Sequence, residues 1–406
     1  MRFIICLAAL VATFTVSAQE PAPAQRFTFE QLVTMAQSAD PGLRAAQSAI
    51  AQARGELLQS RAFPATEVEV EAASARGSGE SGTQSAFRIT QPIDLFNRRG
   101  ARREAFEAQV VAEEGARDLA LLGFRSTLRA AYVELLALDR SLPAAREDLE
   151  VARQLEQLVN RRAELGETRE VDRLRIQVER LRADERVEQL ELQRTAAERA
   201  VRLLVGAQLP ERFEVADLAT SSTQDVDSIL NRVLTTHPRV RVADALVQQR
   251  EALLRLARTG RLPEPSVGLL HERELDQTAT GIAFGASIPL WGWNRGEIAA
   301  ARAALDRATA EREITVREIS RDLNEFFFAS RQLTRRATRL RDELLPRAQE
   351  TFRIAEIAYR NGETSQLDYL DARRTYVALQ QEYLEVLREL AVAESRLEQF
   401  TGEIAR

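Results

Sequence analysis

Gln91-Pro92-Ile93-Asp94-Leu95-Phe96-Asn97-Arg98 closes an alternating, strand-like run and opens a long helical one, and Ile288-Pro289-Leu290-Trp291-Gly292-Trp293-Asn294-Arg295 does the same a second time. Asn97 and Asn294 are 197 residues apart, and so are Pro41 and Pro238 in the pairs Asp40-Pro41 and His237-Pro238 further upstream. Leu165-Gly166-Glu167-Thr168 returns as Asn361-Gly362-Glu363-Thr364, and Val205-Gly206 as Thr401-Gly402, each shifted by 196 (Gly166 to Gly362, Gly206 to Gly402). A register held to one residue over that distance marks two copies of one structural unit.

Within the first copy, Asp40-Pro41 starts a helix of about 20 residues that Phe63-Pro64 stops. Thr66 to Ala72 alternates polar and apolar with period two, Ser74 to Thr83 is Gly/Ser-rich, and Ser85 to Thr90 alternates again. This is a strand, a loop and a returning strand, at about 66–73 and 84–92. The second copy repeats the pair at about 265–273 and 280–290. In its return strand Ile282, Phe284, Ala286, Ile288 and Leu290 share one face, and Gly281, Ala283, Gly285 and Ser287 the other.

Each strand pair leads into a long helical stretch. Leu121, Leu128, Leu135, Leu142 and Leu149 recur every seven residues, a coiled-coil seam, beside a second line of mostly small residues at Phe124, Ala131, Leu138, Ala145, Ala152 and Val159. Asn97 to Leu165 would run roughly 100 Å at 1.5 Å per residue. Gly166 breaks the pattern as a helix C-cap does, and the chain returns to Val205 with Val171, Leu174, Val178 and Leu181 on one face. The second hairpin turns at Gly362 and returns with Leu370, Val377, Leu384 and Ala391 seven apart. Return helix and opening helix, stacked end to end, nearly match one long helix, so the two could lie beside it. Pro143 and Pro346 fall inside the long helices and should kink them. The organisation expected is a signal peptide at 1–18, a first repeat at 19–206 (hairpin 97–205), a connecting segment at 207–230, and a second repeat at 231–406 (hairpin 294–402).

The signal peptide rests on basic Arg2, the apolar run Phe3 to Val16 and the small-residue site Val16-Ser17-Ala18. The single cysteine, Cys6, lies inside that run, so the mature chain would offer no disulfide and no thiolate ligand. Gly and Pro are sparse (18 and 12), aromatics make up 6 %, and lysine is absent. That composition suits long helices better than two or three globular domains. A net charge of −5, with carboxylates interleaved among the arginines, gives no case for nucleic-acid binding.

Four strands cannot close a barrel, and open edges pair with neighbours. In a bilayer open edges are not viable. A secreted chain with four alternating strands therefore points to a barrel shared among subunits, eight strands from two chains or twelve from three. Phe96, Trp291 and Trp293 stand where strand becomes helix, as an interfacial girdle would or as ordinary corner packing. Val68 and Val70 would face lipid; Glu67, Glu69 and Glu71 would face inward and make a pore mouth acidic.

At this point the chain resembles the TolC-like outer-membrane efflux proteins, over essentially the whole mature length. The duplicated order of helix, strand pair, long helix, Gly turn and return helix carries the resemblance. So does Tyr359-Arg360-Asn361-Gly362-Glu363-Thr364-Ser365-Gln366-Leu367-Asp368-Tyr369-Leu370-Asp371-Ala372-Arg373, which looks like that family's second periplasmic tip. The resemblance implies a mainly α fold with a small β part: a homotrimer whose twelve strands form one outer-membrane barrel, continuous with a long α-helical tunnel through the periplasm. It implies Asp368 and Asp371 as an acidic ring at the entrance, which favours cations. Tyr359 and Asp172 correspond to members of a gate-closing hydrogen-bond network. The arginine that usually partners them is missing near Thr364, with Arg360 as a candidate substitute. Gly166, Glu167, Gly362 and Glu363 match the tips that meet a periplasmic adaptor (membrane fusion) protein. The short connection after Val205 and the stretch 289–298 look like the branch serving heavy-metal exporters, whose inner-membrane pump is of the resistance-nodulation-division type.

An enzyme is disfavoured. His237 precedes a proline at a helix start, His271 sits on a strand, and neither has metal-ligand spacing to a partner. No cofactor and no metal site are expected. The rival readings are a periplasmic coiled-coil adaptor, which would carry one hairpin and β-rich flanks, and the outer-membrane component of a type I protein secretion system.

Overall fold

The computed structural model describes residues 25–37, 39–76, 81–166, 168–216, 226–274 and 277–401. The expected signal peptide and Glu167 lie outside the described residues. The first copy comprises α2 (Pro41–Ser60), β2 (Glu67–Arg76), β3 (Ser81–Pro92), α3 (Arg98–Glu164) and α4 (Glu170–Val205). The second comprises α6 (Pro238–Thr259), β5 (Glu264–Glu274), β6 (Gln277–Ser287), α7 (Arg295–Arg339), α8 (Leu345–Arg360) and α9 (Gln366–Thr401). Four small elements, β1 (Gln25–Phe27), α1 (Phe29–Gln37), β4 (Phe213–Val215) and α5 (Val226–Thr236), sit outside the duplicated set.

Matching backbone devices build the two copies. Asp40 caps α2, its carboxylate accepting from the Leu43 N–H at 2.8 Å, with Pro41 in the first turn. His237 does the same for α6 through Nδ1, which accepts from the Arg239 N–H at 3.1 Å. Burial pushes the His237 pKa down, and its ring stacks on Phe400 at 5.7 Å, so it is a neutral structural cap. Asn97 and Asn294 precede the long helices in the left-handed region, at φ 54° and 53°; asparagine enters that region more readily than most residues.

The long helices treat their prolines differently. α3 runs unbroken through Pro143. In the second copy a π-helical turn, Leu340–Leu344, joins α7 to α8 immediately before Pro346. The Leu345 N–H reaches back to the Leu340 carbonyl there, and the widened turn makes room for a ring that would otherwise crowd the preceding turn.

α3 packs against α2, α4, α6 and α9. Phe400 near the end of α9 meets His237 at the start of α6, so that pair is stacked end to end. The heptad residues Leu128, Leu135, Leu142 and Leu149 are buried. Gly115 lets α6 approach, since a Cβ there would stand 2.6 Å from Val242 Cγ2. Beside the seam, β1 pairs parallel with β4, and fully buried Tyr132 of α3 donates its hydroxyl to the Ala216 carbonyl at 2.6 Å.

β2, β3, β5 and β6 form one antiparallel sheet in that order, joined between copies by β3 and β5. Gly268 is required at that seam, because a Cβ would lie 2.6 Å from the Ile89 carbonyl oxygen. The register puts Val68, Val70, Phe87, Ile89, Leu269, Ile282 and Phe284 on one face. None of the described residues covers it: Val70 is 72 % and Phe284 83 % exposed. Glu67, Glu69, Glu71, Arg88, Thr90, Gly268, Ala283 and Gly285 occupy the other face. β2 and β6 are both free outer edges, and the sheet does not close within one chain.

Candidate functional site: the helical tips and the strand–helix corners

The tips are made by glycine. Gly166 and Gly362 both sit at φ 77°. At the second tip the Glu363 N–H donates to the Ala358 carbonyl (2.8 Å) and the Gly362 N–H to that of Tyr359 (3.1 Å), a Schellman pair that ends α8. The Gly166 N–H donates to the Ala163 carbonyl (3.0 Å) in the same position of the first tip.

The side chains then diverge. Asp172, near the start of α4, is mostly buried and holds two guanidinium groups, Arg169 at 2.9 Å and Arg175 at 3.5 Å. Asp368, at the start of α9, accepts instead from hydroxyls: Ser365 at 2.6 Å and Thr364 at 3.2 Å. Its own N–H donates to Ser365 Oγ at 3.2 Å, a reciprocal cap. Those hydrogen bonds, Ser365 first, hold the Asp368 carboxyl below the usual range. Asp371 is exposed one turn further on, along the same open groove between α8 and α9.

Tyr359 is buried and stacks on Tyr369 at 5.2 Å, and burial raises its pKa. The arginine beside it is Arg162 of α3, whose guanidinium stands 5.3 Å over the Tyr359 ring and donates to the Arg360 carbonyl at 3.2 Å. Arg360 turns its own guanidinium to Glu356, 2.7 Å away. The guanidinium beside Tyr359 thus comes from the other hairpin, and Arg360 is not the one that stands there. Nothing in the local spacing of the second tip could reveal it. Gln366 adds a second link between hairpins, donating from Nε2 to the Asp172 carbonyl at 2.8 Å. Arg373, buried, donates to the Asp148 carbonyl at 3.1 Å and pairs with its carboxylate, tying α9 to α3. Arg374 pairs with Glu179 of α4.

At the sheet end, Trp291 is 92 % exposed, and Trp293 and Phe96 are also open. Trp293 holds φ 48°, a strained setting for a bulky side chain. Glu67 begins β2 on the side of the helices, and Glu69 pairs across the strand with Arg88 at 2.9 Å, which offsets part of the charge expected of the three glutamates. Among the described residues no group of three or more His, Cys, Asp or Glu side chains is placed to hold a metal ion. No described helix is long and apolar enough to cross a membrane.

Comparison with known proteins returns the same architecture. The chain is similar to the cobalt-zinc-cadmium resistance protein CzcC of Cupriavidus metallidurans, 26 % identical over 92 % of this chain and 90 % of that protein. It is also similar to the toluene efflux pump outer membrane protein TtgC of Pseudomonas putida, 26 % identical over 80 % of this chain and 69 % of that one. Its fold matches the Campylobacter jejuni CmeC outer membrane channel with a TM-score of 0.78 at 17 % identity, covering 98 % of this chain and 94 % of that one. The profile of the family described as outer membrane efflux protein matches residues 32–207 and 229–403, one segment in each copy. The chain belongs to the outer membrane efflux protein family.

Proposed function

We propose that three copies of this chain form the passive exit duct of a tripartite efflux system. The observation that carries this reading is the four-stranded sheet with two free edges and an uncovered apolar face. Twelve strands from three chains would remove every edge and give the apolar face to lipid. Strands of 10 to 12 residues suit a bilayer, where about 9–11 tilted residues span. The exposed stripe Val171, Leu174, Val178 and Leu181 on α4 would then pack on a neighbouring protomer. The tips would meet a periplasmic adaptor, and an inner-membrane pump of the resistance-nodulation-division type would supply the energy.

The closed entrance lies at the tips. Asp368 and Asp371 form its selectivity ring, and Asp172, Tyr359, Arg162 and Gln366 hold the hairpins together. Three copies of two uncovered carboxylates favour cations, whereas Asp172 is already matched by arginine. Heavy-metal cations are the cargo this reading favours, supported by the similarity to CzcC over 90 % of that protein's length.

The test combines cells and bilayers. Deleting the gene should sensitise cells to cobalt, zinc or cadmium; sensitisation to toluene alone would overturn the metal reading and leave the duct. In planar bilayers, Asp368→Asn with Asp371→Asn should abolish cation preference. The Asp368 carboxyl is held below its ordinary value of about 3.9. Its folded pKa is therefore the depressed one, and its charge persists until the pH falls below about 4. Cation preference lost already at pH 5–6 would remove Asp368 from the ring.

A further inference from the structure

A cavity of about 500 Å³ opens where β3 turns into α3, with Arg98, Arg99 and Arg102 lining it and Phe63, Leu95 and Phe96 at its edge. Arg98 is committed to the fold: it donates to the Thr259 and Leu262 carbonyls at 3.0 and 2.7 Å and pairs with Glu264 at 3.0 Å. Asp94 accepts from the Arg98 and Arg99 backbone N–H groups, 2.8 Å each. Neither the Arg99 nor the Arg102 guanidinium has a carboxylate partner among the described residues. The Arg99 guanidinium is fixed 4.0 Å over the Phe63 ring, and its buried Nη1 has no hydrogen-bond partner.

The duplication supplies an internal control. Counting from Asn97 and Asn294, the positions of Arg99, Arg102 and Phe106 correspond to Gly296, Ala299 and Ala303. The second corner also enters its helix through a left-handed asparagine, Asn294, with none of these side chains, although Gly292 and Trp293 before it are left-handed as well. The left-handed asparagine step therefore forms without them. Ile93 also lines the cavity and continues the parity of Phe87 and Ile89, so the opening adjoins the apolar face of the sheet at its helix side. Phe63 and Leu95, 75 % and 67 % exposed, border it.

We propose that this corner binds the phosphate of one glycerophospholipid per protomer, drawn from the leaflet on the helix side of the sheet. Arg99 and Arg102 take the phosphate, and the acyl chains leave along Phe63, Leu95 and Phe96 onto the apolar face. The inference rests on the reading of the sheet as a barrel wall. A free phosphate shares the anion chemistry but makes no use of the apolar border.

The test uses the full-length protein purified in non-ionic detergent. Calorimetry measures binding of dihexanoyl phosphatidylglycerol, inorganic phosphate and dihexanoylglycerol. Phosphatidylglycerol should bind saturably and at least tenfold more tightly than the other two. Arg99→Ala with Arg102→Ala should weaken it at least tenfold, Arg102→Ala alone should weaken it measurably while leaving Arg99 in place, and Arg99→Lys with Arg102→Lys should retain most of the affinity. Arg295→Ala, in the second corner, should change nothing. Phosphate binding as tightly as the lipid, no saturable lipid binding, or lipid binding unchanged in the alanine variants would overturn the proposal. Bilayer conductance of the same samples is read separately: a chain that binds lipid without conducting refutes the duct, and one that conducts without binding refutes the site.

Discussion

The first and second tips share a backbone and differ in charge. Gly166 and Gly362 hold the same φ of 77°, yet beyond the first turn Asp172 is matched by two arginines and beyond the second Asp368 is matched by two hydroxyls. The strand–helix corners repeat this pattern: Asn97 and Asn294 adopt one conformation while Gly296 and Ala299 stand at the positions that correspond to Arg99 and Arg102. Glycine, asparagine and proline fix the shape of the unit because few residues tolerate those dihedrals. Side chains outside those positions are free to specialise, and each copy has done so differently.

That contrast can be broken most forcefully between neighbours on α9. Arg373 is buried against Asp148, and Arg373→Met leaves that carboxylate partly buried without its partner, so stability should fall by about 3 kcal/mol. Arg374 is largely exposed and Glu179 keeps Arg182 as a second partner at 3.6 Å, so Arg374→Met should cost under about 1 kcal/mol. Thermal midpoints of the two variants in detergent check this; equal losses would mean that both links between the copies are buried in the assembled protein. Next in size are the tip glycines. Gly166→Ala and Gly362→Ala should each cost about 1–2 kcal/mol, from forcing a Cβ into the left-handed region. A tip that accepts alanine freely has a different backbone from its twin, which local hydrogen-exchange protection would reveal. The smallest effect tests the cross-hairpin arginine. Arg162→Ala removes a contact worth about 0.5–1 kcal/mol, so open probability in bilayers should rise roughly two- to fivefold. An unchanged gate would make Arg162 a packing residue only.

Much of the architecture was legible from periodicity. Alternation over residues 66–72 and 85–90 located the strands, the seven-residue leucine spacing located the seam, and the glycines located the turns. Those signals are local and backbone-driven. Pro346 sits just after a π-turn, a recognised cause of helix kinks, whereas Pro143 leaves α3 continuous; a proline's consequence depends on whether the preceding turn can widen. Periodicity put Val171, Leu174, Val178 and Leu181 on one face of α4, and that face is exposed, because periodicity reports an apolar face, not which molecule covers it. Arg162 and Gln366 were illegible for another reason. Their partners lie 197 and 194 residues away, at Tyr359 and Asp172, and only the packed hairpins bring them together.

The two free edges of the sheet belong to different strands, β2 from the first copy and β6 from the second. A ring closed by joining β6 of one chain to β2 of the next is head-to-tail, and every chain supplies one link. One blocked edge opens the whole ring. In a cell making normal and edge-blocked chains in equal amounts, about one ring in eight of three subunits would contain only normal chains. Lesions at β2 or β6 would then be genetically dominant, while lesions in the arginine corner, which sits within a single protomer, would be recessive.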